Sequence, residues 1–249
     1  MKTLRFLTLI ALTAGFFSCD SDDDSCVEST FFKDADGDGL GNSTESQVAC
    51  AAPDGFVANS DDNDDDQPLA SLISESVSNL HAPQLGGQGQ PVSGPFTKFD
   101  FETGQITTSD TDWDIAFRGT TIIVNGGATQ GTTDEPNRTG NAAVYIATGT
   151  LDGITSIETG SLTQDTASDL AIPSGSNNGW YSYAGPPTHL ITPLAGKILV
   201  FRTTEGKYAK VEILSYYKDA PANPDAFVNE SRYFTFNYVY QPNNNVASF

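Results

Sequence analysis

The chain has 249 residues, 38% of them hydrophobic, and a formal net charge of −20. This length suffices for one domain with a hydrophobic core and an accessory segment. The negative charge argues against a nucleic-acid partner, because phosphate binding needs a basic surface. Residues 19–66 contain 15 acidic residues and one basic residue, Lys33, so much of the excess charge lies in this segment.

Residues 1–18 have the pattern of a secretory signal. Lys2 and Arg5 precede an apolar stretch at positions 6–17, which is too short to span a bilayer. The stretch ends at Ser18-Cys19 and resembles a bacterial lipoprotein signal, which implies that Cys19 carries lipid. The alternative is ordinary signal cleavage, with Cys19 paired to another cysteine.

An acidic run, CDSDDD, follows at positions 19–24. It resembles the export tag of Bacteroidetes lipoproteins that face the cell exterior. The resemblance implies a lipid-anchored protein at the outer surface of the outer membrane. The alternative is a solvated linker, which is the usual role of a run of like charges.

The cysteines predict a disulfide. The chain has three, at Cys19, Cys26 and Cys50. If Cys19 carries lipid, an even pair remains in a compartment where disulfides persist. A bridge between Cys26 and Cys50 would enclose an aspartate-rich loop and order a segment with little core of its own.

That loop, DADGDGLGNSTE at positions 34–45, matches the calcium-loop pattern D-x-[DN]-x-[DN]-G-x5-E. Calcium takes six to eight oxygen ligands, and the pattern supplies them from alternate positions. Gly39 permits the sharp turn that the loop needs. The predicted ligands are the side chains of Asp34, Asp36, Asp38, Asn42 and Glu45 and the backbone carbonyl of Leu40.

The sequences around the loop lack the two amphipathic helices of an EF-hand, since Pro53 and Gly55 interrupt the second flank. The segment resembles thrombospondin type 3-like and MopE-like repeats, in which a second aspartate cluster follows, here at positions 61–66. The resemblance implies a structural Ca²⁺ site in a stalk, residues 19–66. The alternative is a disordered acidic spacer.

The sequence of residues 67–249 predicts a separate β domain. Positions 69–80 have weak helical spacing and fit a strand equally well. Short strand candidates with turn signals between them follow. They are FTKFDFET at 96–103, GQITTS at 104–109, WDIAFRGTTIIVNGG at 113–127, NAAVYIATG at 141–149, GITSIETG at 153–160, KILVFRTTEGKYAKVEILSYY at 197–217 and RYFTFNYVYQ at 232–241.

Two of these candidates indicate antiparallel pairing. Glu205-Gly206 lies between two alternating runs and predicts a hairpin turn. Aromatic residues recur at alternate positions of 232–241, as in a half-buried strand. Many short strands with almost no helical pattern predict a single antiparallel all-β domain.

The sequence shows no pattern typical of an enzyme. It has only two histidines, and no G-x-S-x-G, Walker or H-E-x-x-H motif. Asp112 and Asp114 flank Trp113, but nothing else indicates a sugar-cleaving pair. The preferred interpretation is structural, with Trp113, Ile115 and Phe117 packed inward and the carboxylates at an edge. We therefore do not expect an enzyme.

Several blocks in the β domain resemble the HmuY family, Bacteroidetes lipoproteins of which some carry haem. The resemblance covers most of positions 97–240 and implies an all-β fold with a binding role. The shared features occur in the same order along the chain. They are Trp113-Asp114, Asn125-Gly126, Gly179-Trp180, Arg202, Gly206-Lys207, Ala209-Lys210 and the closing aromatic strand.

The haem ligands of the family do not carry over directly. Its characterised haem carriers hold iron between His or Met side chains, and the position that aligns with one such histidine is Gly185 here. The resemblance therefore leaves His189 as one candidate axial ligand, with Tyr183 or His81 as the second. The alternative is that His189 is a hydrogen-bonded loop histidine.

Two functions remain open from the sequence. The first is a surface lipoprotein that captures haem and passes it to an outer-membrane receptor. The second is a non-haem module on the same scaffold that binds another small ligand or a protein.

Overall fold

A computed structural model describes residues 26–62, 64–87 and 89–249. The chain divides into two compact units between Pro68 and Leu69. The predicted signal at 1–18, the predicted lipidation site Cys19 and the acidic run after it lie outside the described residues. In the described ranges, no helix is long and apolar enough to cross a membrane.

The first unit is a small antiparallel sheet. It contains β1 (Ser29–Lys33), β2 (Asn42–Ala49) and β3 (Phe56–Val57), in the order β2–β1–β3. The predicted disulfide between Cys26 and Cys50 is confirmed, with Cα atoms 5.5 Å apart. The bridge lies beside the β1–β2 pair, at the end opposite the aspartate-rich loop.

The regular secondary structure described in the second unit is almost entirely β-strand, which confirms the all-β prediction. Among its described residues, one short 3₁₀ turn covers Thr159–Ser161. The strands are β4 (Ile73–His81), β5 (Leu85–Gly87), β6 (Gln90–Ser93), β7 (Thr97–Asp100), β8 (Gln105–Thr107), β9 (Ile115–Arg118), β10 (Thr121–Val124), β11 (Ala143–Thr148), β12 (Tyr181–Tyr183), β13 (Ile191–Pro193), β14 (Lys197–Arg202), β15 (Tyr208–Tyr217) and β16 (Ser231–Gln241).

These strands form two larger sheets and two small hairpins. A five-stranded sheet has the order β11–β14–β15–β16–β4, and a four-stranded sheet has the order β10–β9–β7–β8. All neighbouring strands in both sheets are antiparallel. The hairpin predicted at Glu205-Gly206 is confirmed between β14 and β15, and Gly206 adopts a φ of 87° that favours glycine.

The two larger sheets share one aromatic core. The ring of Phe99 in β7 lies 5.5 Å from that of Phe236 in β16, and the ring of Phe117 in β9 lies 4.8 Å from that of Phe234. Alternate residues of β16 therefore face the core, as the sequence pattern predicted. Each large buried aromatic side chain stabilises the fold by roughly 1.5–3 kcal/mol through the apolar area that it removes from water.

Trp113, Ile115 and Phe117 all pack inward, as expected, but they do not share one cluster. Ile115 and Phe117 lie in the aromatic core, but Trp113 belongs to a second, smaller cluster with Ala116 and Ile123. Ile115 and Ala116 are neighbours in β9, so they point to opposite faces of the sheet. The four-stranded sheet is therefore buried on both faces here, which a strict alternation pattern does not reveal.

Asp114 also differs from expectation, because it lies inside the protein and is only 1% exposed. Its Oδ2 accepts a hydrogen bond from the N–H of Phe101 at 2.9 Å, and its Oδ1 accepts one from the N–H of Thr204 at 2.7 Å. These donors follow β7 and β14, where the strand ladders have ended. The carboxylate satisfies both donors and so joins the ends of the two sheets. Asp112 stays exposed, as expected.

The segment at 153–160 was expected to be a strand, and the structure contradicts this. Its backbone instead pairs with the chain end: Ile157 N–H donates to the carbonyl of Ala247, and Phe249 N–H donates to that of Thr155. Because these partners lie outside both sheets, only an isolated bridge forms. The ambiguous segment at 69–80 contains a strand, β4, at the edge of the five-stranded sheet.

Asp114 should make the stability of the protein depend on pH. Burial raises the pKa of Asp114 to about 7, against about 3.9 in an unfolded chain. The folded state therefore binds this proton more tightly, and the resulting stabilisation is lost as the pH rises through about 7. We expect the free energy of unfolding to fall by roughly 2–3 kcal/mol between about pH 5 and pH 8. Urea unfolding at each pH measures this.

The control is Asp114→Asn, which cannot titrate. It should be less stable at every pH, because an amide leaves one of the two N–H donors without an acceptor. Its stability should fall less steeply over the same pH range, since only the other carboxylates contribute. Parallel curves for the two proteins would contradict this role of Asp114.

Candidate functional site

The first candidate site lies at the tip of the β12–β13 hairpin, in the connection 184–190. Two backbone hydrogen bonds close this connection. The N–H of Ala184 donates to the carbonyl of Leu190 at 2.9 Å, and the N–H of His189 donates to that of Gly185 at 2.8 Å. His189 has a φ of 52°, in the left-handed region that residues other than glycine seldom adopt. The loop thus holds His189 in a defined orientation.

The loop brings the side chains of Tyr183 and His189 together. Tyr183 Oη and His189 Nδ1 form a hydrogen bond, and both residues are exposed. The N–H of Tyr183 donates to Ser176 Oγ at 2.8 Å, which ties the hairpin to the preceding loop. The ring of Phe227 lies edge-on to that of His189, with centroids 5.8 Å apart.

Phe227 comes from the connection between β15 and β16, so two loops meet at this point. Between them lies a cavity of about 380 Å³, within the size range of small-molecule sites. Most of its lining is apolar. The lining residues are Pro187, Thr188 and Leu190 from the first loop and Pro224, Asp225, Ala226 and Phe227 from the second. An apolar cavity beside an exposed tyrosine–histidine pair can accept a small, mainly apolar ligand.

The hydrogen bond limits what the pair can offer to iron. Axial ligands of haem stand on opposite faces of the macrocycle. Two atoms in direct hydrogen-bond contact cannot both occupy such positions. In this arrangement Tyr183 and His189 could not both ligate one haem iron, so the sequence prediction of His189 paired with Tyr183 does not fit the geometry.

His81 lies in a different environment. It pairs with Tyr233 across β4 and β16, and the two rings are stacked with centroids 4.5 Å apart. The preceding pair, Leu80 and Phe234, is buried in the core. Because successive strand residues alternate between faces, His81 and Tyr233 lie on the outer face of the sheet. The structure does not bring His81 to the tip of the hairpin.

Trp180, which immediately precedes β12, is a core residue. It is 3% exposed and packs against Tyr216 and Phe234, with centroids 5.7 and 5.0 Å away. Its Nε1–H donates to the carbonyl of Thr120, in the β9–β10 turn, at 2.9 Å. The indole therefore fixes the base of the hairpin to both sheets and is not available to stack on a ligand.

The second candidate site is a group of carboxylates in the first unit. In the described part of the chain, two sets of side chains each bring their oxygen atoms within 4.8 Å of one another. One set is Asp34, Asp36 and Asp65, and the other is Asp36, Asp38 and Asp62. Asp36 belongs to both, so five carboxylates meet at one place.

Two oxygens in this group have no hydrogen-bond donor. Asp36 Oδ2 and Asp62 Oδ2 are both buried and unpaired. Burial raises the pKa of Asp36, and the neighbouring carboxylates of Asp38 and Asp62 raise it further. Buried oxygens without a donor are costly, and clustered hard oxygens are the ligands that Ca²⁺ prefers. The donor set therefore fits a divalent cation.

Two of the remaining predicted calcium ligands, Glu45 and Asn42, have other side-chain partners. Glu45 Oε2 lies 3.0 Å from Lys33 Nζ, and Asn42 Oδ1 accepts a hydrogen bond from the N–H of Thr44. Both residues are in β2, which extends away from the loop, whereas an EF-hand turns into a helix at this point. The N–H of Leu40 donates to Asp38 Oδ1. Their part in metal binding remains a prediction.

The sequence pattern alone did not assign Asp62 and Asp65 as ligands, although both belong to the second aspartate cluster. Backbone contacts place them beside the aspartates of the loop. The N–H of Asp62 donates to the carbonyl of Gly41 at 3.1 Å, and Asp65 Oδ1 accepts from the N–H of Ala35 at 2.7 Å. The second cluster thus adds Asp62 and Asp65 to the carboxylates of the loop.

Comparison with known proteins identifies the β domain. A family model described as HmuY protein matches residues 95–238, more than half of the chain. The chain belongs to the HmuY family. The match covers both candidate loops of the second unit and confirms the family that the sequence blocks suggested. No curated protein matches the chain.

Three solved structures are similar to this HmuY-family chain. The apo HmuY analog of Tannerella forsythia has a TM-score of 0.44 and 14% identity, covering 71% of this chain and 100% of its own. A Bacteroides vulgatus ATCC 8482 protein described as HmuY-like and heme-binding has a TM-score of 0.40 and 16% identity, covering 69% and 93%. A Bacteroides fragilis NCTC 9343 protein described as a lipoprotein has a TM-score of 0.34 and 14% identity, and the match covers 69% of this chain and 92% of that protein. These scores assign no ligand to this chain.

The site predicts different stability effects for neighbouring aromatic residues. Trp180→Ala should lower the free energy of unfolding by about 3–5 kcal/mol, because it opens a cavity in the core and leaves the Thr120 carbonyl unpaired. Tyr183→Phe and His189→Ala should each change it by no more than about 1 kcal/mol, because both side chains are exposed. Thermal and urea unfolding measure these differences. A large loss of stability in Tyr183→Phe would show that the pair is structural.

Proposed function

We propose that the protein is a non-catalytic haem-binding lipoprotein, and that haem binds at the two loops that follow β12 and β15. The observation that carries this proposal is the Tyr183–His189 pair beside an apolar cavity, in a chain of the HmuY family. Haem presents a large apolar ring and one metal ion that needs a side-chain ligand. The two loops offer apolar surface and a donor pair at the same place.

The residues fit haem in a way that differs from the His or Met ligands of the family's characterised carriers. Position 185 is glycine, and the single methionine of the chain is Met1. Tyrosine and histidine are both established haem ligands in proteins. When bound, haem would supply iron with an open axial position, and Tyr183 or His189 would fill it.

The proposal includes a place in the cell. Cys19 would carry lipid after removal of residues 1–18, and the acidic run after it would direct the protein to the outer face of the outer membrane. A lipid-anchored carrier at that surface would pass haem to an outer-membrane receptor. The negative net charge of the chain supports solubility and does not favour nucleic acid as a partner.

A second function for the same loops is the binding of a non-haem ligand or a protein. One observation favours it: Phe227 and Val228 are 73% and 77% exposed, although they are apolar. Exposed apolar residues at a loop tip are common in protein contact surfaces. The two functions differ in whether iron is needed for binding.

A haemin titration of the purified protein tests the main proposal. The Soret band of haemin should shift and saturate at one equivalent, because the loops offer one site. His81→Ala and Tyr233→Phe are matched controls on the outer face of β4 and β16, and both should titrate like the wild type. The double variant Tyr183→Phe/His189→Ala should lose the shift. Equal binding of haemin and metal-free protoporphyrin by the wild type would favour the non-haem function.

We further propose that the first unit binds Ca²⁺ as a structural ion through the five-carboxylate group. The unpaired Asp36 Oδ2 and Asp62 Oδ2 support this, because a divalent cation among them would compensate both buried oxygens. Extracellular calcium is abundant enough to fill even a millimolar site. The two sets share Asp36, so the site would hold one ion or two ions bridged by this carboxylate.

Calcium binding should stabilise the first unit against unfolding. At a concentration of about 100 times the Kd, the stabilisation should be about 2.7 kcal/mol, because the ion binds only the folded state. Calorimetric titration gives affinity and stoichiometry. Asp36→Asn should weaken binding at least tenfold, while Glu28→Gln, an exposed control, should not. If Glu45→Gln weakened binding as much as Asp36→Asn while Asp62→Asn did not, the linear loop motif would describe the site and the five-carboxylate group would not.

A further inference from the structure

Strand β11 lies at one edge of the five-stranded sheet, and part of its outer side is unpaired. The N–H of Val144 donates to the carbonyl of Thr163 at 2.9 Å, and the N–H of Thr163 donates back to that of Val144 at 3.0 Å. Because hydrogen-bonding directions alternate along a strand, Ile146 and Thr148 also point their N–H and carbonyl groups outward. Within the described ranges, neither of them has a backbone hydrogen bond on that side.

A slot of about 400 Å³ lies beside these open groups. Residues 145–148 form one wall of the slot, and residues from the segment 153–161 form the other. The backbone of the second wall is bonded to a different part of the chain, since the N–H of Ile157 donates to the carbonyl of Ala247 at 3.1 Å. The two walls therefore face each other without pairing, and the slot between them is open.

The sequence of β11 favours pairing with another strand. It reads AVYIAT, with no charged residue, proline or glycine, and its register with β14 has no bulge. Folded proteins usually protect an open sheet edge with such features. The opposite edge strand, β4, has a bulge against β16, a φ of 58° at Asn79, and the charged residue Glu75. Of these two edges, β11 is the one suited to accept an added strand.

We propose that the open edge of β11 binds a short, extended, basic peptide segment of a partner protein. The backbone of the peptide would pair with Ile146 and Thr148, because these residues present donors and acceptors at the spacing of a β-ladder. The slot shares no residue with the loops after β12 and β15, so this proposal is independent of haem binding.

The charge of the slot favours a basic segment. Glu158 lines the slot, and its Oε2 accepts a hydrogen bond from Ser161 Oγ at 3.3 Å. No lysine or arginine in the described part of the chain forms an ion pair with it. A lysine or arginine of the peptide can therefore pair with this carboxylate. The β11 strand of a second copy of this chain has no basic residue to offer.

An amide NMR titration of the ¹⁵N-labelled protein tests the proposal. The probes are two short acetylated peptides of alternating threonine and valine, one with a lysine at its first position and one with a lysine at its last. The amide signals of Ile146 and Thr148 should shift and saturate, while that of Glu75 on the opposite edge should not move. The same peptides with every backbone nitrogen methylated have no N–H donor and should bind at least roughly fivefold more weakly.

Two variants test the two walls of the slot. Glu158→Gln should weaken binding by roughly two- to fivefold, the effect of an exposed ion pair, and Glu75→Gln is the matched control that should bind like the wild type. Thr148→Pro removes one outward donor at an exposed position, and its missing N–H does not face β14, so the sheet should stay intact. This variant should bind at least roughly fivefold more weakly.

Three results would overturn the proposal. The first is the absence of saturable shifts at Ile146 and Thr148 with both lysine peptides at millimolar concentration. The second is equal binding of the methylated and unmethylated peptides, which would exclude a backbone ladder. The third is a shift of the same two amides with protein concentration alone, which would make a second copy of the chain the occupant.

Discussion

The burial of Trp180 is the interaction on which the candidate haem site depends. Its ring packs on Phe234 of the five-stranded sheet, and its Nε1–H reaches the turn of the four-stranded sheet at Thr120. The indole thus connects the site hairpin to both layers of the core. Close to this anchor, the N–H of Ile191 donates to Tyr217 Oη at 3.0 Å. A rigid base allows a short exposed loop to hold Tyr183 and His189 in contact.

Much of the β domain could be predicted because its strands alternate and its turns carry clear signals. The β14–β15 hairpin and the aromatic face of β16 follow from side-chain period and from Glu205-Gly206. Asp114 could not be predicted in the same way. A carboxylate beside a strand is normally exposed, and its burial depends on two N–H donors that are far away in sequence, at Phe101 and Thr204. The pairing of 153–160 with the chain end is long-range for the same reason.

The candidate sites, too, could be predicted only where their residues lie close together in the sequence. Local spacing identified Asp34, Asp36 and Asp38, but Asp62 and Asp65 join them only through backbone contacts that span 21 and 30 residues of sequence. The sequence also named Tyr183 and His189, six positions apart. It could not show that the two side chains are hydrogen-bonded to each other. His81 lies on the other face because of strand alternation, a property of the pairing of β4 with β16.

The central claim is that haem binds between the loops after β12 and β15. The most direct measurement is a backbone amide NMR titration of the ¹⁵N-labelled protein with gallium(III) protoporphyrin, a diamagnetic analogue of ferric haem. We predict saturable shifts at one equivalent, confined to residues 173–190 and 221–230, with the amides around His81 unchanged. Shifts centred elsewhere in the β domain, or none at millimolar ligand, would contradict the account.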